Sequence, residues 1–163
     1  VGNTVPKWTG GINTTVSWKD LTLSARFDYA LGFTAVDWKT MWIMSCAQGT
    51  YNTIEETKNT WTPENPNALL PRLYAGTKHN YQYSSHWLQN AAYIRLKNLQ
   101  VGYTLNPEWT RKVKIEKLRV YFNGENMFEF SKMFRYFDPE LNKVAGYMYP
   151  IMRNYSLGVN VVF

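Results

Sequence analysis

The chain has 163 residues, 17% of them aromatic, and a formal net charge of +6 at pH 7. Its mean hydropathy is −0.41. No run approaches the roughly 20 apolar residues of a membrane-spanning helix, so helical spans are excluded. Cys46 is alone, which rules out a disulfide within the chain.

Many aromatics in a chain that is polar on average are unusual for a soluble core. They are ordinary for a β-barrel, where lipid meets only half of each strand. The basic residues are scattered except at 110–117, which reads as a solvated turn rather than a nucleic-acid footprint. The chain starts at Val1, without Met or a signal peptide, as a mature product or a fragment would.

Residues 8–19 alternate. Trp8, Gly10, Ile12, Thr14, Val16 and Trp18 share one face, and Thr9, Asn13, Thr15, Ser17 and Lys19 the other. A strand sends successive side chains to opposite faces. The minimal link Lys19-Asp20 predicts a hairpin with 21–33. There Leu21, Leu23, Ala25, Phe27, Tyr29, Leu31 and Phe33 form an unbroken apolar stripe, with Arg26 and Asp28 as an expected ion pair on the wet face. The stripe suits a tilted membrane crossing of about 9–11 residues.

The alternation breaks over 34–91. Asp37 is placed to cap a short helix from Trp38, and Thr53 with Glu56 has capping-box spacing. Three prolines at 63, 66 and 71 forbid a central strand. Residues 92–105 return to strand, but Ile94 and Leu96 have the opposite parity to Leu99, Val101, Tyr103 and Leu105. A β-bulge near Lys97-Asn98 would reconcile them. Residues 118–128 form the fourth strand, 129–153 a second long connection, and 154–163 the fifth strand. In that last strand Tyr155, Leu157, Val159, Val161 and Phe163 alternate with mostly small or polar residues.

Each strand taken singly also fits the edge of a soluble β-sandwich. The connections separate the two readings. Counted back from a last strand ending at the periplasm, both short links fall on the periplasmic side, and 34–91 and 129–153 fall outside. Outer-membrane barrels have short periplasmic turns and long external loops. Phe27, Tyr29, Phe122, Leu157 and Val161 are then expected to face lipid. Arg26, Asp28, Gln100, Arg119 and Asn160 are expected to face the lumen.

No catalytic set is evident. His79 and His86 lack ligand partners at suitable spacing, and Ser84, Ser85 and His86 are only sequence neighbours. Asp138-Pro139-Glu140 reads as a turn rather than a glycosidase pair. No metal, cofactor or nucleic acid is expected. An outer-membrane lipase would need a Ser–His pair on adjacent strands, and the strands carry no His. The loop aromatics Trp38, Trp42, Trp61, Tyr81, Trp87 and Tyr136 are candidate contacts for a partner or a substrate. Their bland alternative is packing of the loops against one another.

The ordered runs VPKWTGG (5–11), WTPENPN (61–67), Pro71-Arg72, YIRLKNL (93–99) with Gly102-Tyr103-Thr104, NGEN (123–126), DPE (138–140), Tyr149-Pro150 and GVNVVF (158–163) carry a family resemblance. The chain resembles the C-terminal barrel segment of a SusC-like (RagA-like) TonB-dependent outer-membrane transporter of Bacteroidetes. The resemblance implies an all-β fold, the last five antiparallel strands of a 22-stranded transmembrane β-barrel with a plugged lumen. It implies long extracellular loops containing short helices, with the plug and the TonB box outside this chain. The partners implied are a SusD-like lipoprotein lid, TonB through the missing N-terminal part, outer-membrane lipid and lipopolysaccharide, the remainder of the same barrel, and a glycan or peptide substrate. It also implies that Tyr155, Val161 and Phe163 signal barrel assembly. The alternative function is a passive structural or adhesive barrel without energised transport.

Overall fold

A computed structural model of the chain describes residues 2–45, 52–74, 80–133, 138–141, 149 and 151–163. Five long strands dominate it: β1 (Trp8–Trp18), β2 (Leu21–Leu31), β5 (Tyr93–Thr104), β6 (Lys117–Ser131) and β7 (Asn154–Val162). They form one sheet in the order β1-β2-β5-β6-β7, antiparallel at every pairing. Two three-residue strands, β3 (Thr34–Val36) and β4 (Leu88–Asn90), make a separate ribbon. Because the strands alternate in direction, the links 19–20 and 105–116 share one end of the sheet. The long connections share the other.

Directly opposed residues of an antiparallel sheet lie on one face. The register therefore builds whole rows. Val16, Leu23, Val101, Phe122 and Leu157 make one apolar row, and Ile12, Phe27, Leu96 and Phe128 another. Between them, on the opposite face, run Thr15, Ser24, Gln100, Asn123 and Ser156, then Asn13, Arg26, Asn98, Glu125 and Asn154. Arg26 and Asp28 do pair there, with Nε 3.1 Å from Oδ1.

A soluble sandwich buries its apolar face against a second sheet. Here much of the apolar face is open, Trp8 being 70% exposed and Leu157 81%, although Leu96 in the middle of the sheet is buried. The buried clusters of the described residues lie instead at the end with the long connections. One joins Ala30, Phe33, Ala35 and Ala91, and the other Met41, Met44, Leu70 and Trp87.

Two irregularities adjust the register. Lys97 is an extra residue on β5 between the pairs Arg26↔Asn98 and Phe27↔Leu96, so the expected bulge is present and restores a common face to Leu96 and Leu99. On β6, Asn126 and Met127 stand as two extra residues relative to β2, because Glu125 opposes Asn98 and Phe128 opposes Leu96. Asn126 takes a left-handed φ of 53°, and the Met127 side chain lies where a Cβ on Gly124 would be.

Several boundaries differ from the sequence reading. β2 stops at Leu31 because Gly32 turns the chain with φ 74°, and Phe33 serves the small cluster instead of extending the apolar stripe. β6 runs on to Ser131, which puts Phe128 and Phe130 in line with Leu96 and Ile94. The capping box at Thr53 does not form. A 3₁₀ turn, Glu55–Lys58, starts there after Ile54, which makes no side-chain cap. Residues 106–110 are more ordered than a bare turn: Asn106 Oδ1 accepts from the Glu108 N–H at 2.9 Å and caps α2 (Pro107–Thr110). Arg111, Lys112 and Lys114, in the basic cluster beyond it, are exposed.

Candidate functional site

The long connections carry the candidate site, and α1 (Trp38–Ser45) organises the first of them. Asp37 is 3% exposed and caps this helix. Its Oδ1 accepts from the Thr40 N–H at 2.9 Å, and its Oδ2 from the Thr40 hydroxyl at 2.5 Å and from Gln89 Nε2 at 2.7 Å. The last bond ties the helix start to β4. Met41 and Met44, three positions apart and so on one side of the helix, bury against Leu70 and Trp87.

The aromatic residues divide around this small core. Trp87 is 5% exposed, so its ring belongs to the packing and offers no face to a partner. Trp38 and Tyr81 flank the core. They meet Tyr83 and Trp42 edge to face, with ring centroids 4.4 and 5.5 Å apart. Trp42 and Trp61 keep 39% and 38% of their surface exposed. Trp61 is fixed through its backbone, its N–H donating to the Leu70 carbonyl at 2.9 Å. Tyr136 lies outside the described residues, as do Cys46 and His79. Tyr155, Val161 and Phe163 are exposed, and Tyr155 and Val161 take the apolar parity of β7 through their partners Gly124 and Leu118.

A second feature is absent from the sequence reading. On the polar face Arg95 opposes Asp28 on one side and Glu129 on the other. Its side chain is 2% exposed. Nη2 donates to Glu129 and, at 2.6 Å, to Asp138 Oδ1, while Nη1 donates to Glu140 Oε2 at 2.6 Å. Lys97 Nζ reaches the same Glu140 oxygen at 2.6 Å, and the Tyr93 hydroxyl donates to its other oxygen at 3.1 Å. The guanidinium also lies 5.8 Å from the Tyr93 ring centre. Asp138 and Glu140 do form the expected turn, with the Leu141 N–H on the Asp138 carbonyl at 3.0 Å. Their side chains have this further task. The signal available in the sequence was an arginine at a wet-face strand position.

No family model matches the chain. Over its full length it is 25% identical to the TonB-dependent receptor P3 of Formosa agariphila and 27% identical to the TonB-dependent receptor P26 of the same organism. It spans 17% and 18% of those proteins. Among solved structures it superposes on a chain of the RagAB peptide transporter with a TM-score of 0.78 and 30% identity, covering 96% of this chain and 17% of that one. The RagAB peptide importer in its closed-closed state gives a TM-score of 0.77 at the same identity and coverage.

With the largely open apolar face and the end-for-end asymmetry of the connections, these similarities define the class: an antiparallel segment of an outer-membrane β-barrel. More narrowly, the chain is similar over nearly its whole length to one segment of TonB-dependent receptors and of the RagAB peptide transporter chain, which supports a partial receptor of the SusC/RagA-like kind.

Proposed function

We propose that the chain forms part of the wall and external rim of a TonB-dependent importer in the outer membrane of a Bacteroidetes bacterium. Its cargo is an oligosaccharide or a peptide, and a SusD-like surface lipoprotein closes over it. The observation that carries this reading is the superposition on the RagAB peptide transporter chain at TM-score 0.78 and 30% identity, across 96% of the chain.

The physical features support it. The apolar rows are taken to face lipid and the polar rows the lumen. Within the sheet, β1 and β7 each pair on one side only. Unpaired strand edges are not tolerated in hydrocarbon, so the remainder of the same barrel pairs with both. Trp42 and Trp61 offer partly exposed rings beside a packed loop core, the kind of residue that anchors a protein interface or stacks on a sugar. Trp87 drops out of that role because it is buried. Tyr155, Val161 and Phe163 are the side chains that the insertion machinery would read.

The test is energised uptake by cells carrying the complete receptor. Accumulation of the labelled peptide or oligosaccharide is expected to need both the receptor and TonB. Uptake that persists at the same rate without TonB would support the passive barrel instead.

A further inference from the structure

We infer that Arg95 is a positioning residue that holds a strap, residues 138–141 of the second external connection, against the polar face of the sheet, so that it becomes part of the lumen wall. The inference rests on reading the polar face of the sheet as the lumen side.

Arg95 belongs to the polar row of Gly11, Asp28 and Glu129. The groups that meet its guanidinium from outside the sheet are Asp138 and Glu140. The segment carrying them therefore lies against the polar face and does not stand up from the rim. Burial agrees. Arg95 and Pro139 are both among the largest fully buried side chains. An arginine on a sheet face is so deeply covered only when other groups pack over it, and here Asp138 and Glu140, at the 3₁₀ turn Pro139–Leu141, meet its guanidinium.

The bulge contributes to the grip. As the extra residue of β5, Lys97 sets a second cation beside Arg95 on the same face. Glu140 is then held at one oxygen by Arg95 and Lys97 and at the other by Tyr93. Three carboxylates, Glu129, Asp138 and Glu140, share these two cations. Breaking a buried ion pair by removing one partner leaves uncompensated charge and is strongly unfavourable. Without Arg95 the three carboxylates would be left with Lys97 alone, and the cheapest relief is for 138–141 to leave the wall.

The test is hydrogen exchange on the purified complete receptor, read on peptides covering 132–141, with wild type beside Arg95→Gln, Arg95→Lys and the double variant Asp138→Asn/Glu140→Gln. Exchange at 138–141 in Arg95→Gln is expected to rise at least roughly tenfold, as for a segment that has lost its buried contacts. Arg95→Lys should fall between, since it keeps the charge but loses the fork that reaches separate carboxylates. The double variant touches no strand, so it loosens the strap even if Arg95→Gln fails to assemble. Wild-type exchange in either Arg95→Gln or the double variant would overturn the inference. Uptake through the loosened strap is expected to fall several-fold while the heat-modifiable barrel is retained. A loosened strap with unchanged uptake would overturn its place in the transport path. Exchange is measured without cargo or TonB, so it stands apart from the importer reading.

Discussion

Removing residues 38–60 from the complete receptor is expected to abolish growth on its nutrient and to release the lipoprotein lid on purification, while the barrel still inserts. The deletion takes away α1, the Asp37-capped helix whose Met41 and Met44 fill the loop core. Leu70 and Trp87 would lose their packing partners, and the exposed ring of Trp42 would vanish with the helix. The five-stranded sheet makes no use of this core: its pairings run through β1, β2, β5, β6 and β7 alone. A finer variant separates contact from folding. Trp42→Ala with Trp61→Ala spares the buried residues and, at about 1–2 kcal/mol for each interface anchor, should weaken lid binding roughly 30- to 1,000-fold. Trp87→Ala opens a cavity in the loop core, and about 3–5 kcal/mol is typical of such a truncation. If the shortened receptor keeps both its lid and its uptake, the first connection is only a cover.

Leu157→Arg is expected to destabilise the barrel in a bilayer by about 2–4 kcal/mol, the cost of a charge on the lipid face near the midplane. Leu157 is 81% exposed in this segment and lies in the row of Val16, Leu23, Val101 and Phe122. A soluble sheet would present such an exposed position to water, and arginine there would cost little. Ser156→Arg, on the opposite face of the same strand, serves as the control and should be tolerated. Denaturant unfolding of the complete receptor in lipid measures both. Equal stabilities for the two variants would contradict the facing.

The strands were legible because period-two alternation over nine to fifteen residues leaves little other choice. The bulge at Lys97 was legible for the same reason: one extra residue reverses parity, and Leu96 and Leu99 expose the reversal. Asn126 and Met127 were silent because two extra residues preserve parity. The β3–β4 ribbon was missed because three residues are too few to show a period. The loop aromatics could be counted, but their division could not. In α1 the apolar residues Trp38, Met41, Trp42, Ile43 and Met44 nearly encircle the helix, so only the position of Leu70 and Trp87 decides which side is core. The Arg95 cluster was out of reach because its partners lie 34 to 45 residues away in sequence. Two of them belong to a turn whose own chemistry already accounted for an Asp-Pro pair.

The central claim is that one face of this sheet meets lipid and the other a watery lumen. Single cysteines in the complete receptor, embedded in outer membrane, test it most directly. Cysteines replacing Gln100, Arg119 and Asn160 should react with a water-soluble maleimide. Cysteines replacing Phe27, Phe122 and Leu157 should react only with a lipid-soluble reagent. If the Phe122 and Leu157 positions label with the water-soluble reagent as fast as the Gln100 position, the sheet is not a barrel wall, and the account is contradicted.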